Sequence, residues 1–195
     1  MMQRVKCIIS YDGSGFFGYQ VQISERTVQA EVEKVLGVMH KRAVRVTASG
    51  RTDAGVHAYG QVIHFDTRLK LPADAWIRAM NTMLPDDIAV LSAEYVDEQF
   101  HARFGAKRKK YRYIIDMNKI HNPLRRNYVW HYPYQLDVEA MQKAVTYVLG
   151  EHDFTSFSSA RSDVKDKVRT IYSIDCSLDG NELKLDFEGN GFLYN

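Results

Sequence analysis

The sequence has only two cysteines, Cys7 and Cys176, far apart and in no C-x-x-C pair. That excludes a disulfide framework and a four-cysteine zinc site, and it makes a reducing compartment, the cytoplasm, the default. No apolar run approaches the ~18 residues of a membrane span. The start, MMQRVKCIISYDG, holds a short apolar stretch with no small-residue cleavage site, so no secretory signal is expected. There is no P-loop string, no G-x-S-x-G elbow and no H-x-x-x-H pair, and the histidines are scattered without ligand spacing. Neither a metal nor a small-molecule cofactor is therefore expected. What is present is a chain of 195 residues, 45% apolar and 26% charged. That balance can bury a core in one large domain or two small ones and excludes disorder of the whole.

The net charge is +2, and it conceals an asymmetry. Residues 101–126 carry nine bases, Arg103, Lys107, Arg108, Lys109, Lys110, Arg112, Lys119, Arg125 and Arg126, against the single acid Asp116. That segment is +8 and the remainder −6. Such a local excess can neutralise several phosphates and release their counterions. Phe100, Phe104, Tyr111, Tyr113 and Tyr128 interleave with it, a combination suited to unpaired RNA. A solvated basic strand is the bland alternative.

Apolar periodicity divides the chain in two. RVKCIISY at 4–11 reads as a strand, and residues 27–40 place Val28, Val32, Val35, Leu36 and Met39 on one helical face. VRVTAS at 44–49 and QVIHFD at 61–66 read as strands, ADAWIRAMNTML from 73 as a helix stopped by Pro85, and IAVLSAEYV at 88–96 as a strand. This β-α-β-β-α-β order is the ferredoxin-like unit, with an antiparallel sheet and both helices on one face. The pattern restarts with KKYRYIIDM at 109–117. Residues 137–150 then put Met141, Ala144, Val145, Val148 and Leu149 on one helical face, with Gly150 as C-cap. VRTIYSIDCSL and ELKLDFEG form a hairpin around Asp179-Gly180-Asn181. Residues 152–167 read as a long, polar, mobile loop. The expected architecture is α+β: two ferredoxin-like, RRM-like units with antiparallel sheets, 1–100 and 101–195. The second lacks its last helix and strand, so this unit is expected to be truncated at the C-terminus. The halves share no detectable sequence identity, so the repeat is topological only.

Two strings invite chemistry. Gly13-Ser14-Gly15-Phe16-Phe17-Gly18 matches G-x-G-x-x-G after a strand. The dinucleotide fingerprint needs the helix to open within the glycines, and here YQVQISER intervenes. A turn presenting Phe16, Phe17, Tyr19 and Gln20 is the better reading. The stronger string is Gly50-Arg51-Thr52-Asp53-Ala54-Gly55-Val56-His57-Ala58, in a connection too long for a simple hairpin. Its glycines and alanines leave little bulk around Asp53, so a flat ring can approach the carboxylate. Arg51 can keep that carboxylate ionised or hold a phosphate. Equally, Asp53 can be a loop cap paired with Arg51, and a lone carboxylate does not name a reaction.

GRTDAGVHA followed by GQVIHF resembles the active-site loop of the tRNA pseudouridine synthase A family. YDGSGFFGYQVQ, FHARFGAKRKKYRY and DFTSF resemble further family motifs in the same order. GNGFLYN resembles the opening of a motif that in the family continues into a helix carrying an arginine. The resemblance implies the pseudouridine synthase fold. It implies a cofactor-free, metal-free homodimer that converts uridine to pseudouridine at positions 38, 39 and 40 of the tRNA anticodon stem-loop. Asp53 matches the family's nucleophile, attacking either C6 of the base or C1′ of the ribose. Arg51 matches the arginine beside the nucleophile, as carboxylate partner or in base flipping. Tyr111 matches the tyrosine that packs on the target base, although Tyr111 and Tyr113 share one strand face. Lys107, Arg108, Lys109 and Lys110 would line the cleft and hold the RNA backbone, about half of them turned outward by strand alternation. The alternative is a catalytically impaired RNA-binding fragment, because the matching arginine of the closing motif lies beyond Asn195.

Overall fold

The computed structural model describes residues 2–159 and 164–193. The chain divides into two compact units, residues 1–106 and 107–195. In the first, strand β1 (Gln3–Tyr11) alternates half-buried and buried positions, so Val5, Cys7 and Ile9 point inward. Helix α1 (Val28–His40) starts at Thr27, whose side chain accepts from the Ala30 N–H, and ends in the left-handed Lys41. Strands β2 (Thr47–Ala48) and β3 (Ala58–Thr67), helix α2 (Ala73–Met83) and strand β4 (Ile88–Val96) follow. The sheet order is β2-β3-β1-β4, with every pairing antiparallel. This is the order of the ferredoxin-like unit expected from the sequence. Both helices feed one core, in which Val28, Val32 and Leu36 of α1 and Trp76 and Met80 of α2 meet Val5, Ile9, Ile63 and Phe65 of the sheet.

The strand expected at 44–49 shrinks to two paired residues. Val44 and Val46 are buried, but the Val46 N–H donates to Glu33 Oε1 at 3.0 Å, and Gln29 Nε2 donates to the Val46 carbonyl at 3.4 Å. Side chains of α1 hold the backbone groups that a neighbouring strand would otherwise take.

The second unit contains β5 (Lys109–Asp116), β6 (Trp130–His131), α3 (Val138–Val145), β7 (Gly150–Asp153), β8 (Val168–Asp179) and β9 (Glu182–Gly189). Its order is β6-β5-β9-β8-β7, antiparallel except for the two-residue β5–β6 pairing. The β5-β9-β8 segment repeats the β1-β3-β2 order of the first unit. The hairpin turn falls at Gly180-Asn181 as expected, and a positive φ of 58° at Gly180 is what a two-residue primed turn demands.

Helix α3 is shorter than the sequence pattern indicates. It passes into a 3-10 turn at Thr146–Val148, and Leu149 is extended. Gly150, with φ 91°, opens β7 instead of capping the helix. Ala144 and Leu149 are exposed, whereas Val138 and Met141 pack on the core of Ile115, Leu183 and Leu185. β7 itself, GEHD, is too short and polar to register as a strand in sequence. Within the expected loop at 152–167, Thr155–Phe157 forms a 3-10 turn, while 160–163 lie outside the described residues, as do the last two of the GNGFLYN motif. No helix among the described residues is long and apolar enough to cross a membrane.

Candidate active site

The loop carrying Arg51 and Asp53 spans 49–57, between β2 and β3. Its entrance is fixed by buried Gln61 of β3: Ser49 Oγ donates to Gln61 Oε1 at 2.6 Å, and Gln61 Nε2 donates to the Gly50 carbonyl at 2.6 Å. The Ser49 N–H donates to the Val62 carbonyl at 2.8 Å.

The glycine turn holds the rest. The Tyr19 N–H donates to the Thr52 carbonyl at 3.0 Å, and the Tyr11 and Thr52 hydroxyls lie 2.8 Å apart. Beyond Asp53, the Gly55 N–H donates to the Phe16 carbonyl at 3.2 Å. The Gly13 N–H donates to His57 Nδ1 at 3.1 Å, and Asp12 Oδ1 lies 3.0 Å from the same nitrogen. Glycine is required where the two segments touch. A Cβ on Gly13 would sit 2.0 Å from the Val56 carbonyl oxygen, and one on Gly18, whose φ is 86°, 2.9 Å from the Thr52 oxygen. The G-x-G-x-x-G string is thus a saddle for the neighbouring loop. Phe16 and Tyr19, expected to be presented outward, are buried core residues; Phe17 is exposed. Burial also pushes the Tyr19 hydroxyl strongly toward its neutral form, and its oxygen has no hydrogen-bond partner among the described residues.

Asp53 and Arg51 are both exposed. The ion pair expected between them is not formed: among the described residues neither side chain has a hydrogen bond or ion pair. An exposed pair on an irregular segment gains only ~0–1 kcal/mol, too little to overcome two well-solvated groups. The result is a carboxylate open to solvent on a loop whose backbone is clamped on both sides. Tyr11, Thr52, His57 and Gln61 make those clamps, and sequence reasoning did not single them out. The signal was available: Thr52 and His57 lie in GRTDAGVHA, Gln61 in the GQVIHF that follows it, and Tyr11 opens YDGSGFFGYQVQ.

The expected phosphate-binding residues lie in the second unit. β5 pairs with β9, and on one face of that pair bases meet acids. Arg112 grips Asp186 with two bonds of 2.7 Å, Lys110 Nζ lies 3.3 Å from Asp186, and Arg108 donates to Glu188 at 2.7 Å while its guanidinium sits 4.9 Å from the Tyr172 ring. Arg125 pairs with Glu182. The Arg112 guanidinium, helped by Lys110, holds the Asp186 carboxyl below its ordinary value; Arg125 does the same to Glu182. The +8 segment is therefore partly neutralised by ELKLDFEG. Arg108 and Lys110, expected to hold the RNA backbone, are each paired with an acid of β9: Lys110 lies opposite Glu188 in the ladder beside Asp186, and Arg108, just before β5, reaches Glu188. Lys107 is exposed with no acid partner among the described residues.

On the opposite face, Tyr111 pairs across the ladder with Phe187, in line with Tyr113–Leu185 and Ile115–Leu183. Tyr111 is half-buried, with Phe192 edge-on to its ring at 4.9 Å, whereas Tyr113 is 57% exposed. The two tyrosines share a face, as alternation requires, but differ in how firmly they are held. No group of three His, Cys, Asp or Glu side chains clusters among the described residues.

The sequence model of the tRNA pseudouridine synthase family matches residues 7–105 and 144–195. A tRNA pseudouridine synthase A from Geobacillus sp. (strain WCH70) is 57% identical over 196 residues, covering 100% of this chain and 79% of that protein. A tRNA pseudouridine synthase A from Listeria monocytogenes serovar 1/2a is likewise 57% identical over 196 residues, with the same coverage. A tRNA pseudouridine synthase A 1 from Bacillus cereus (strain ATCC 10987 / NRS 248) is 56% identical over 195 residues, covering 100% of this chain and 79% of its own length.

Proposed function

Because the chain belongs to the tRNA pseudouridine synthase family, we propose that it isomerises uridine to pseudouridine in tRNA, at positions 38, 39 and 40 of the anticodon stem-loop. It is an isomerase that works without a cofactor, as a cytoplasmic homodimer, with Asp53 as nucleophile.

Isomerisation breaks the C1′–N1 bond, turns the uracil and forms C1′–C5. A carboxylate that bonds covalently to the departing fragment holds it through that turn. Atoms and charge balance with no redox step, since the proton at C5 leaves as N1 regains one. The target base must leave its stack to be reached. The observation that carries the reading is the placement of Asp53: a solvent-open carboxylate, unpaired among the described residues, on a loop whose backbone is held from both sides. Little reorganisation is needed for a nucleophile fixed in that way.

Arg51, without a side-chain partner among the described residues, anchors the backbone or fills the space the base vacates. Tyr111 packs on the uracil, its ring steadied by Phe192, and its hydroxyl assists proton transfer at C5. Lys107 contacts the RNA backbone directly. Arg108 and Lys110 do so by exchanging a carboxylate for a phosphate, a trade made possible by the small worth of exposed ion pairs, ~0–1 kcal/mol.

The test is tritium release from tRNA labelled at C5 of uridine. The unaltered chain releases label, and Asp53→Asn abolishes release while retaining tRNA binding. Release by Asp53→Asn equal to that of the unaltered chain would sink the nucleophile assignment. Salt-sensitive binding with no release by the unaltered chain would leave RNA binding alone.

A further inference from the structure

We propose that Phe104 is a stacking platform for an unpaired nucleobase of the RNA substrate, with Arg103 as the adjoining phosphate contact. The proposal rests on the tRNA reading above and adds a base-binding position in the first unit.

The segment that follows β4 folds back onto the outer face of the sheet and is anchored there three times. Arg4 grips Asp66 with bonds of 2.8 and 3.0 Å and donates to the Phe100 carbonyl at 2.7 Å. The buried Ala102 donates its N–H to His64 Nδ1 at 3.2 Å. The His64 ring packs edge-on against Phe100 and His101, with centroids 5.9 and 5.0 Å away. The turn that results closes on itself. The Gly105 N–H donates to the His101 carbonyl at 2.8 Å, and the Phe104 N–H donates to His101 Nδ1 at 3.1 Å. A Cβ on Gly105 would come within 2.9 Å of the His101 oxygen, so the turn needs a glycine there.

All of this ordering serves to present one ring. Phe104 lies flat on His101, with centroids 4.3 Å apart and an interplanar angle of 25°, yet it is 80% exposed. A phenyl ring in that position contributes almost no burial to the fold, and its conformational cost is met by the backbone around it. One face is backed by an imidazole and the other is open to solvent. Arg103, the preceding residue, is exposed and has no acid partner among the described residues. A rigid aromatic face beside an uncommitted cation fits a nucleobase and its phosphate, and the match holds for any base because each has a π-face.

The test uses the full chain and an anticodon stem-loop RNA. Phe104→Leu keeps the apolar bulk and removes the ring; Phe104→Trp keeps a ring and adds a fluorophore. Phe104→Leu is expected to weaken binding on the order of tenfold. That factor should be the same at low and high salt, because stacking releases no counterions. The thermal midpoint should not move. Phe104→Trp should bind as the unaltered chain does, and RNA should quench its emission beyond the background of Trp76 and Trp130. Unchanged binding by Phe104→Leu overturns the proposal, as does absence of quenching in Phe104→Trp. A change in sedimentation with RNA binding spared assigns the ring to a protein contact and also overturns it. If the unaltered chain binds no tRNA, both this proposal and the tRNA reading fall. If it binds and releases label while Phe104→Leu behaves identically, only the platform falls.

Discussion

The backbone N–H of Tyr19 donates to the carbonyl of Thr52, so the glycine turn is tied directly to the residue before Asp53. The position of the carboxylate is inherited from a segment some thirty residues earlier. With Asp53 as the proposed nucleophile, that dependence makes the turn as consequential for activity as the loop itself.

Gly13→Ala should therefore impair catalysis from outside the loop. Its Cβ would lie 2.0 Å from the Val56 carbonyl oxygen, a backbone atom that cannot move without moving the loop. Tritium release is expected to fall on the order of 100-fold, as for an ångström-scale misplacement of a catalytic group. The overpacking should cost ~1–3 kcal/mol of stability in urea unfolding. Gly15→Ala is the control: its Cβ meets side-chain ends and no backbone, Arg26 Nη1 at 3.2 Å and Asp87 Oδ2 at 3.7 Å. Equal release by the two variants would refute the coupling.

Tyr19→Phe should leave the fold intact or stabilise it by about 1 kcal/mol, because it removes a buried hydroxyl that has no partner among the described residues. The hydrogen bond to Thr52 comes from the backbone and survives the change. Tyr19→Ala should cost ~3–5 kcal/mol, the usual loss for a large core aromatic. Chemical denaturation of the three chains separates these outcomes; destabilisation by Tyr19→Phe would mean that the hydroxyl has a hidden partner.

His64 makes stability depend on pH in a definite window. Burial, assisted by the charge of Arg4 and by His101, lowers its pKa from 6.5 to about 4. The folded chain resists protonation that the unfolded chain accepts. Stability is thus complete above about pH 6.5 and declines as pH falls toward about 4. The carboxylates of Asp66, Asp186 and Glu182 are held below their ordinary values of 3.8, 3.8 and 4.5, so their contributions are complete above those values and are lost as pH falls from them through the folded-state values. His64→Asn offers an acceptor in the Nδ1 position without titrating. It should flatten the thermal midpoint between pH 6.5 and 4 and leave the lower-pH decline in place. An unchanged slope in the upper window would exclude His64 as its source.

The acids of β9 should restrain RNA affinity. Asp186→Asn frees Arg112 and Lys110 from their carboxylate, so tRNA binding should tighten and its salt dependence steepen. Lys107→Ala should weaken binding across sequences and reduce the salt slope by about 1. Binding isotherms at several salt concentrations measure both. Asp186→Asn binding no better than the unaltered chain would mean that the paired bases do not face RNA.

Much of this protein was legible in its sequence, because the signals are local. Alternation over 4–11 and 88–96 and the apolar face of 27–40 suffice for the first unit's element order, and its strand order followed. GRTDAGVHA stood out as an oversized connection with little side-chain bulk, and its resemblance to the family's active-site loop pointed to Asp53. The basic stretch at 101–126 was equally plain as a count of charges.

Tertiary structure decided what depends on neighbours distant in sequence. Phe16 and Tyr19 read as presented aromatics and proved to be core, because the turn folds under the Asp53 loop. Arg51 and Asp53 read as a pair, and each instead faces solvent. The helix face at 137–150 is real in the pattern, but the chain leaves the helix at Val145 and builds β7 from Gly150. Arg108 and Lys110 read as bases for the RNA backbone, and the pairing of β5 with β9 brings Glu188 and Asp186 against them. Periodicity reports which way a side chain points along its own element. Only the register between elements determines what it meets there, and at β5 and β9 that register converts a strongly basic strand into a largely compensated one.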